Sequence, residues 1–217
     1  MTRANEKTSP SHPRLRAPRQ ARSRQSQERV LDTFARMLTD RPFEQITMAE
    51  LARRADVAVT SIYARFVDKR ALVLALHEQH AEETMRFTDT MLDPARWAGK
   101  DLAAIVAGTL AALVARQTPR ANLLRTVLVL GDDDVERRAA HLMRHGSERL
   151  ALLLRPHLAP LPLDTRDRRV DFAFRAVMAV LQQRLLFPTT EPGRFRLSNK
   201  ELTARLTELF LAAVTPS

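Results

Sequence analysis

Apolar residues recur along this chain at three- and four-residue steps, the spacing of helices that bury one face. Val30, Phe34, Met37 and Leu38 mark the first such face and predict a helix over 23–39, which Pro42 ends. Phe43 and Ile46 follow as plugs for a small core. A short helix from Thr47 carries Leu51, Ala52 and Ala55, and another is predicted over 59–65. Asp68 caps a long helix beginning at Lys69 or Arg70. Its stripe of Leu72, Leu76, Glu83, Phe87 and Met91 turns polar midway, as suits a helix that leaves one core and enters another. Trp97 to Arg116 is the most apolar stretch and reads as a helix buried nearly all round. Further helices are predicted over 122–130, 135–154, 164–186 and 198–214, separated by proline- and glycine-bearing breaks. About nine helices and no strand of more than a few residues make an all-α chain.

The stretch from Thr47 to Lys69 has the strongest local signals. Thr47 and Glu50 have the spacing of a capping box, and Ile46 and Leu51 flank it as a hydrophobic staple. Asp56 stands where a tight turn needs positive φ, which Asp tolerates better than most residues. Two short helices joined by such a turn form a helix-turn-helix. The second helix offers the small or polar Ala58, Thr60 and Ser61, which suit a helix entering a DNA groove.

The run IYARF followed by DKRALVLAL resembles the closing signature of the TetR family of regulators, with Tyr63, Phe66, Lys69 and Leu72 at its positions. The resemblance extends over about residues 30–76; beyond it the match is only in helix number and length. Asp56 stands in place of the family's usual Gly, Ala58 in place of a capping Ser, and Arg65 in place of His. The loss of the serine cap is worth about 1 kcal/mol. The resemblance implies three parts: a disordered basic arm over 1–22, a three-helix helix-turn-helix DNA-binding domain over 23–69, and a helical effector-binding and dimerisation domain over 70–217. By residue chemistry, Ala58, Val59, Thr60 and Ser61 are candidates for base contact, while Thr47, Tyr63, Arg65 and Lys69 suit phosphate contact.

Charge strengthens the DNA reading. The net charge is +10, and residues 1–24 carry Arg3, Lys7, Arg14, Arg16, Arg19, Arg22 and Arg24 against Glu6 alone. A basic tail of this kind suits phosphate or minor-groove contact, although a solvated terminus would look the same. Beside a helix-turn-helix the DNA reading is favoured. The chain has no cysteine and only 5 glycines, which fits a reducing cytoplasm and helical structure. The N-terminus has no apolar segment of a signal peptide. The apolar run Leu102 to Ala115 falls short of the roughly 20 residues of a membrane span.

The helix over 164–186 has two apolar stripes. Val170, Phe174, Val177, Leu181 and Leu185 form one; Phe172, Ala176, Ala179 and Leu186 form the other. Two apolar faces need two partners. The resemblance implies a homodimer through this helix and the one over 198–214, with a small-molecule pocket among the middle helices. Trp97, Leu110, Val114, Leu124, Leu128, Met143, Phe174 and Met178 form the pool that could line it, each also a plain core residue. Such a pocket would accept an apolar or amphipathic molecule. His141 and His145, and His77 and His80, have ligand-like spacing but no third partner, so no metal is expected. No nucleophile, phosphate or dinucleotide motif is present, and neither enzymatic activity nor a cofactor is expected. The sequence therefore predicts a cytoplasmic DNA-binding transcriptional regulator, a repressor released from its operator by an effector. The alternative is a helical small-molecule carrier or enzyme with a vestigial DNA-binding domain.

Overall fold

The computed structural model describes residues 19–158, 161–187 and 193–215, and every regular element among them is helical. In chain order these are α1 (Arg19–Asp40), α2 (Met48–Ala55), α3 (Val59–Tyr63), α4 (Lys69–Met91), α5 (Leu102–Gln117), α6 (Ala121–Leu130), α7 (Asp133–Leu154), α8 (Leu163–Leu186) and α9 (Asn199–Val214). The order and spans follow the apolar periodicity closely. The predicted arm over 1–22 needs one correction, because α1 starts at Arg19. Pro18 is the last proline before a run of helix-favouring Arg, Gln and Ala, so the helix can begin there. Residues 1–18 lie outside the described residues.

Two hydrophobic cores organise the chain. Val30, Phe34 and Met37 of α1 pack with Ile46, Leu51, Ile62, Phe66, Leu72 and Leu76. Leu123 and Val127 of α6 and Val135 of α7 belong to this same core, so the helix-turn-helix unit rests on the middle of the chain. The second core joins α5, α7, α8 and α9 through Ile105, Leu110, Leu154, Val177, Leu206 and Phe210. The α4 helix spans both: Leu72, Val73 and Leu76 enter the first core, and Leu92, just past its end, enters the second.

The helix expected from Trp97 begins five residues later, at Leu102. Asp101 caps it, accepting from the Ala104 N–H at 2.7 Å, while Gly99 turns the chain at a φ of 72°. Nor is α5 buried all round. Ile105, Val106, Leu110 and Val114 are buried, but Ala103, Ala104, Ala111 and Ala115 are exposed, because its apolar outer face consists of small alanines. A 3-10 turn at Thr118–Arg120 joins α5 to α6, so Leu102–Leu130 makes a helical stretch of 29 residues. By length and composition alone that stretch could cross a membrane. It nonetheless carries Arg116, Arg120 and Arg125 and contributes buried residues to both cores.

Candidate nucleic-acid interface and interior cavity

The helix-turn-helix is built from its caps. The Thr47 hydroxyl accepts from the Glu50 N–H at 3.2 Å, and Ile46 and Leu51 are both fully buried beneath it. The reciprocal half of the box does not form. Arg41 and Arg54 take the Glu50 carboxylate instead, and the Arg41 hydrogen bond holds its pKa below the usual carboxylate range. Asp56 adopts φ 53° and ψ 54°, and its N–H returns to the carbonyls of Ala52 and Arg53, closing α2. Among the described residues it is the one non-glycine with positive φ.

One turn later α3 begins at Val59, and Ala58 supplies no side-chain cap. Ile62 and Phe66 are buried and anchor α3 from below. Above them Ala58, Thr60, Tyr63, Ala64 and Arg65 are exposed, while Val59 and Ser61 are half-buried. Tyr63 leaves half its surface open, and Val67 beyond α3 is 88% exposed. Arg65 donates to the Ser61 carbonyl at 3.2 Å.

Lys69 is half-buried at the start of α4. Its Nζ donates to the carbonyls of Phe43 at 2.8 Å and Ile46 at 2.9 Å, and it lies 4.0 Å from the centre of the Phe43 ring. Burial holds its pKa below the usual lysine value, opposed in part by Glu44. The ammonium thereby ties the start of α4 to the residue that precedes Thr47. The expected contact residues Thr47, Ala58 to Ser61, Tyr63, Arg65 and Lys69 thus come from neighbouring segments of one small unit.

Among the described residues, those expected to line a pocket mostly fill core positions. Trp97 lies across Gly108, whose added Cβ would meet the ring at 2.5 Å, and its Nε1 donates to the Met91 carbonyl at 2.7 Å. Phe174 packs in the same way over Gly146. Leu110 and Val114 are buried core residues, Met178 packs against that core, and Leu124 and Met143 are half-buried. Leu128 is 41% exposed.

A cavity of about 290 Å³ opens elsewhere, between the end of α5, the start of α6, the end of α8 and the segment before α9. Of the predicted pool it takes only Val114. Its other lining residues include Arg125, Arg184 and Arg196, the polar Gln117, Asn122 and Gln183, and the apolar Val180, Leu185 and Leu197. The apolar pattern does not point to this site, since a cavity mouth interrupts a stripe rather than extending it. The available signal is Arg125, the one charged residue of α6.

The histidines of the two pairs have different surroundings. His77 is buried, and His145 Nε2 stands 2.9 Å from Asp89 Oδ1. No group of three or more His, Asp or Glu could hold a metal among the described residues.

A capped α2, a left-handed turn and a one-turn exposed α3 together make a helix-turn-helix. Residues 30–76 match the family model of bacterial regulatory proteins of the tetR family. Solved structures share the whole fold. A protein from Mesorhizobium loti assigned to the tetR family superposes with a TM-score of 0.60 at 16% identity, covering 88% of this chain and 97% of that one. A tetR-family transcriptional regulator from Streptomyces coelicolor gives 0.58 at 16% identity, covering 88% and 80%. Salmonella enterica GusR gives 0.59 at 14% identity, covering 92% and 98%. No curated protein sequence matches the chain. Residues 30–76 thus resemble the tetR family, and the chain has the fold seen in solved tetR-family regulators.

Proposed function

We propose that the protein is a homodimeric, ligand-responsive repressor. In this reading the residues before α1 form a basic arm, α1 to residue 69 the DNA-reading domain and 70–217 the effector and dimerisation domain. The observation that carries it is α3, which Ile62 and Phe66 hold from below while Thr60, Tyr63 and Arg65 face outward. Thr60, Ser61 and Val59 would read bases, and Thr47, Tyr63 and Arg65 would take phosphates. Lys69 would act on phosphate with whatever donor capacity its two carbonyl bonds leave.

A dimer would place two such heads on the half-sites of a near-palindromic operator. The second stripe of α8 supports this: Phe172 is 68% exposed, Leu186 is 48% exposed, and Ala179 is open. Leu209 on α9 is also exposed. An effector would act by binding the non-DNA geometry better than the DNA geometry.

A mobility-shift assay on the DNA flanking the gene tests the proposal. A shifted band that survives excess unrelated DNA is the expected result. A folded protein that retards no fragment would favour the carrier or enzyme reading instead.

A further inference from the structure

We infer that the 290 Å³ cavity is a site for a small amphipathic anion, and that its occupant acts on the reading head through Arg125 and Asn122. This rests on the regulator reading above and narrows its effector to an acid. Three arginines line the cavity and, among the described residues, no carboxylate does. Arg184 and Arg196 are exposed at its mouth, and Arg125 is mostly buried, with 25% of its side chain open. Arg184 already donates to Asn199 Oδ1 at 2.7 Å. Arg196 has no hydrogen-bond or ion-pair partner among the described residues. Arg184 and Arg196 have no acid partner among the described residues and Arg125 has only the long Glu44 contact, so the cluster favours a carboxylate or phosphate, which arginine grips in bidentate fashion. The opposite wall, with Val180, Leu181 and Leu202, favours a short apolar body.

Two of the lining residues reach the DNA-binding unit directly. Asn122 Nδ2 donates to the Leu38 carbonyl on α1 at 2.8 Å. Arg125 lies 3.9 Å from the Glu44 carboxylate, in the 3-10 turn Phe43–Gln45 that precedes α2. Lys69 holds that same turn through the Phe43 carbonyl. An anion in the cavity offers Arg125 a partner inside the effector domain and draws it from Glu44. The turn that sets the entry to α2 then loses one of its ties. Occupancy and head position are thus linked through Arg125, beside the Asn122 contact to α1. Because the anion removes a tie of the head, it weakens operator binding, and by reciprocity operator DNA weakens anion binding by the same factor.

The test titrates the full-length protein with octanoate, octyl phosphate and 1-octanol by calorimetry, in the absence of DNA. Octanoate or octyl phosphate should bind at least about tenfold tighter than octanol, the contribution of charge-assisted bonds to arginine. The preferred head separates carboxylate from phosphate as the ligand class. Arg184→Gln and Arg196→Gln, both at exposed positions, should erase that preference while leaving octanol binding and the circular dichroism spectrum unchanged. Octanol binding as tightly as both anions, or no binding by either anion, would overturn the site. A preference that survives both substitutions would also overturn it. The preferred anion should then weaken binding to operator DNA, and an unchanged operator affinity would overturn the coupling through Arg125. Ligand binding is read without DNA, so a failure to bind any operator would count against the regulator reading and not against the site.

Discussion

Asn122 donates its Nδ2 proton to the carbonyl oxygen of Leu38 at 2.8 Å, joining the first turn of α6 to the last turn of α1. The final carbonyls of a helix have no partner within it, and Asn122 satisfies one of them from another element. Asn122→Ala should lower stability by about 1 kcal/mol, the usual net worth of such a bond. Urea denaturation of the two proteins measures it, and equal midpoints with equal slopes would show that water replaces the amide at no cost.

Lys69→Met should destabilise the reading head and weaken binding to every DNA sequence alike. The substitution leaves the carbonyls of Phe43 and Ile46 without their donor. Hydrogen bonds to a charged group contribute about 1.5–3 kcal/mol each at most, and solvent lowers that here because Lys69 is only half-buried. Thr60→Ala should instead alter which sequences bind, with little change in melting temperature. A Lys69→Met protein with unchanged stability, or one whose sequence preference changes, would contradict the clamp.

His80 makes stability depend on acidity. Burial, with Arg116, Arg120 and His77 nearby, pushes its pKa down to about 4 from 6.5, and its Nδ1 is buried without a partner. The folded state therefore refuses a proton that the unfolded chain accepts. Stability is full above pH 6.5 and falls as the pH drops from 6.5 toward 4, by about 2–3 kcal/mol if this group acts alone. Chemical denaturation across that range should show the decline, and His80→Gln should flatten it. An equal decline in the variant would assign the effect to other groups.

Removing residues 1–18 should lower operator affinity and make it less sensitive to salt. Each of Arg3, Lys7, Arg14 and Arg16 that meets a phosphate contributes roughly 0.9 to the slope of log affinity against log salt. Binding isotherms at several salt concentrations give that slope, and an unchanged slope would remove the arm from the account.

Ala179→Arg should split the dimer without unfolding the subunit, since Ala179 is exposed on α8. A two-fold interface would bury the unpaired charge twice, at a cost of several kcal/mol. Sedimentation should report half the mass at micromolar concentration, with unchanged helical circular dichroism. A variant of full dimer mass would place the interface on another face.

Much of the fold was legible because caps and periodicity act locally. Ser198 and Glu201 form a complete capping box, and Asp56 takes the left-handed turn expected of it. Thr47 and Glu50 have the same spacing, yet only half of their box forms. Arg41 lies six residues before Thr47, outside the motif, and wins the Glu50 carboxylate. The start of α5 was missed because apolar count extends to Trp97, whereas Asp101 decides where the helix begins. The cavity was missed for a similar reason. Arg125, Arg184 and Arg196 are distant in sequence and meet only through tertiary packing. Trp97 and Phe174 looked available for a ligand, but Gly108 and Gly146 receive their rings.

The central claim is that α3 reads DNA as one of a pair, and selection from a pool of random duplexes tests it most directly. The full-length protein should enrich a two-fold symmetric motif whose half-sites are about 10 base pairs apart or a multiple of that. Thr60→Ala should enrich a motif altered at the same position in both halves. A folded, dimeric protein that leaves the pool random, or a motif indifferent to every substitution from Ala58 to Ser61, would contradict the account.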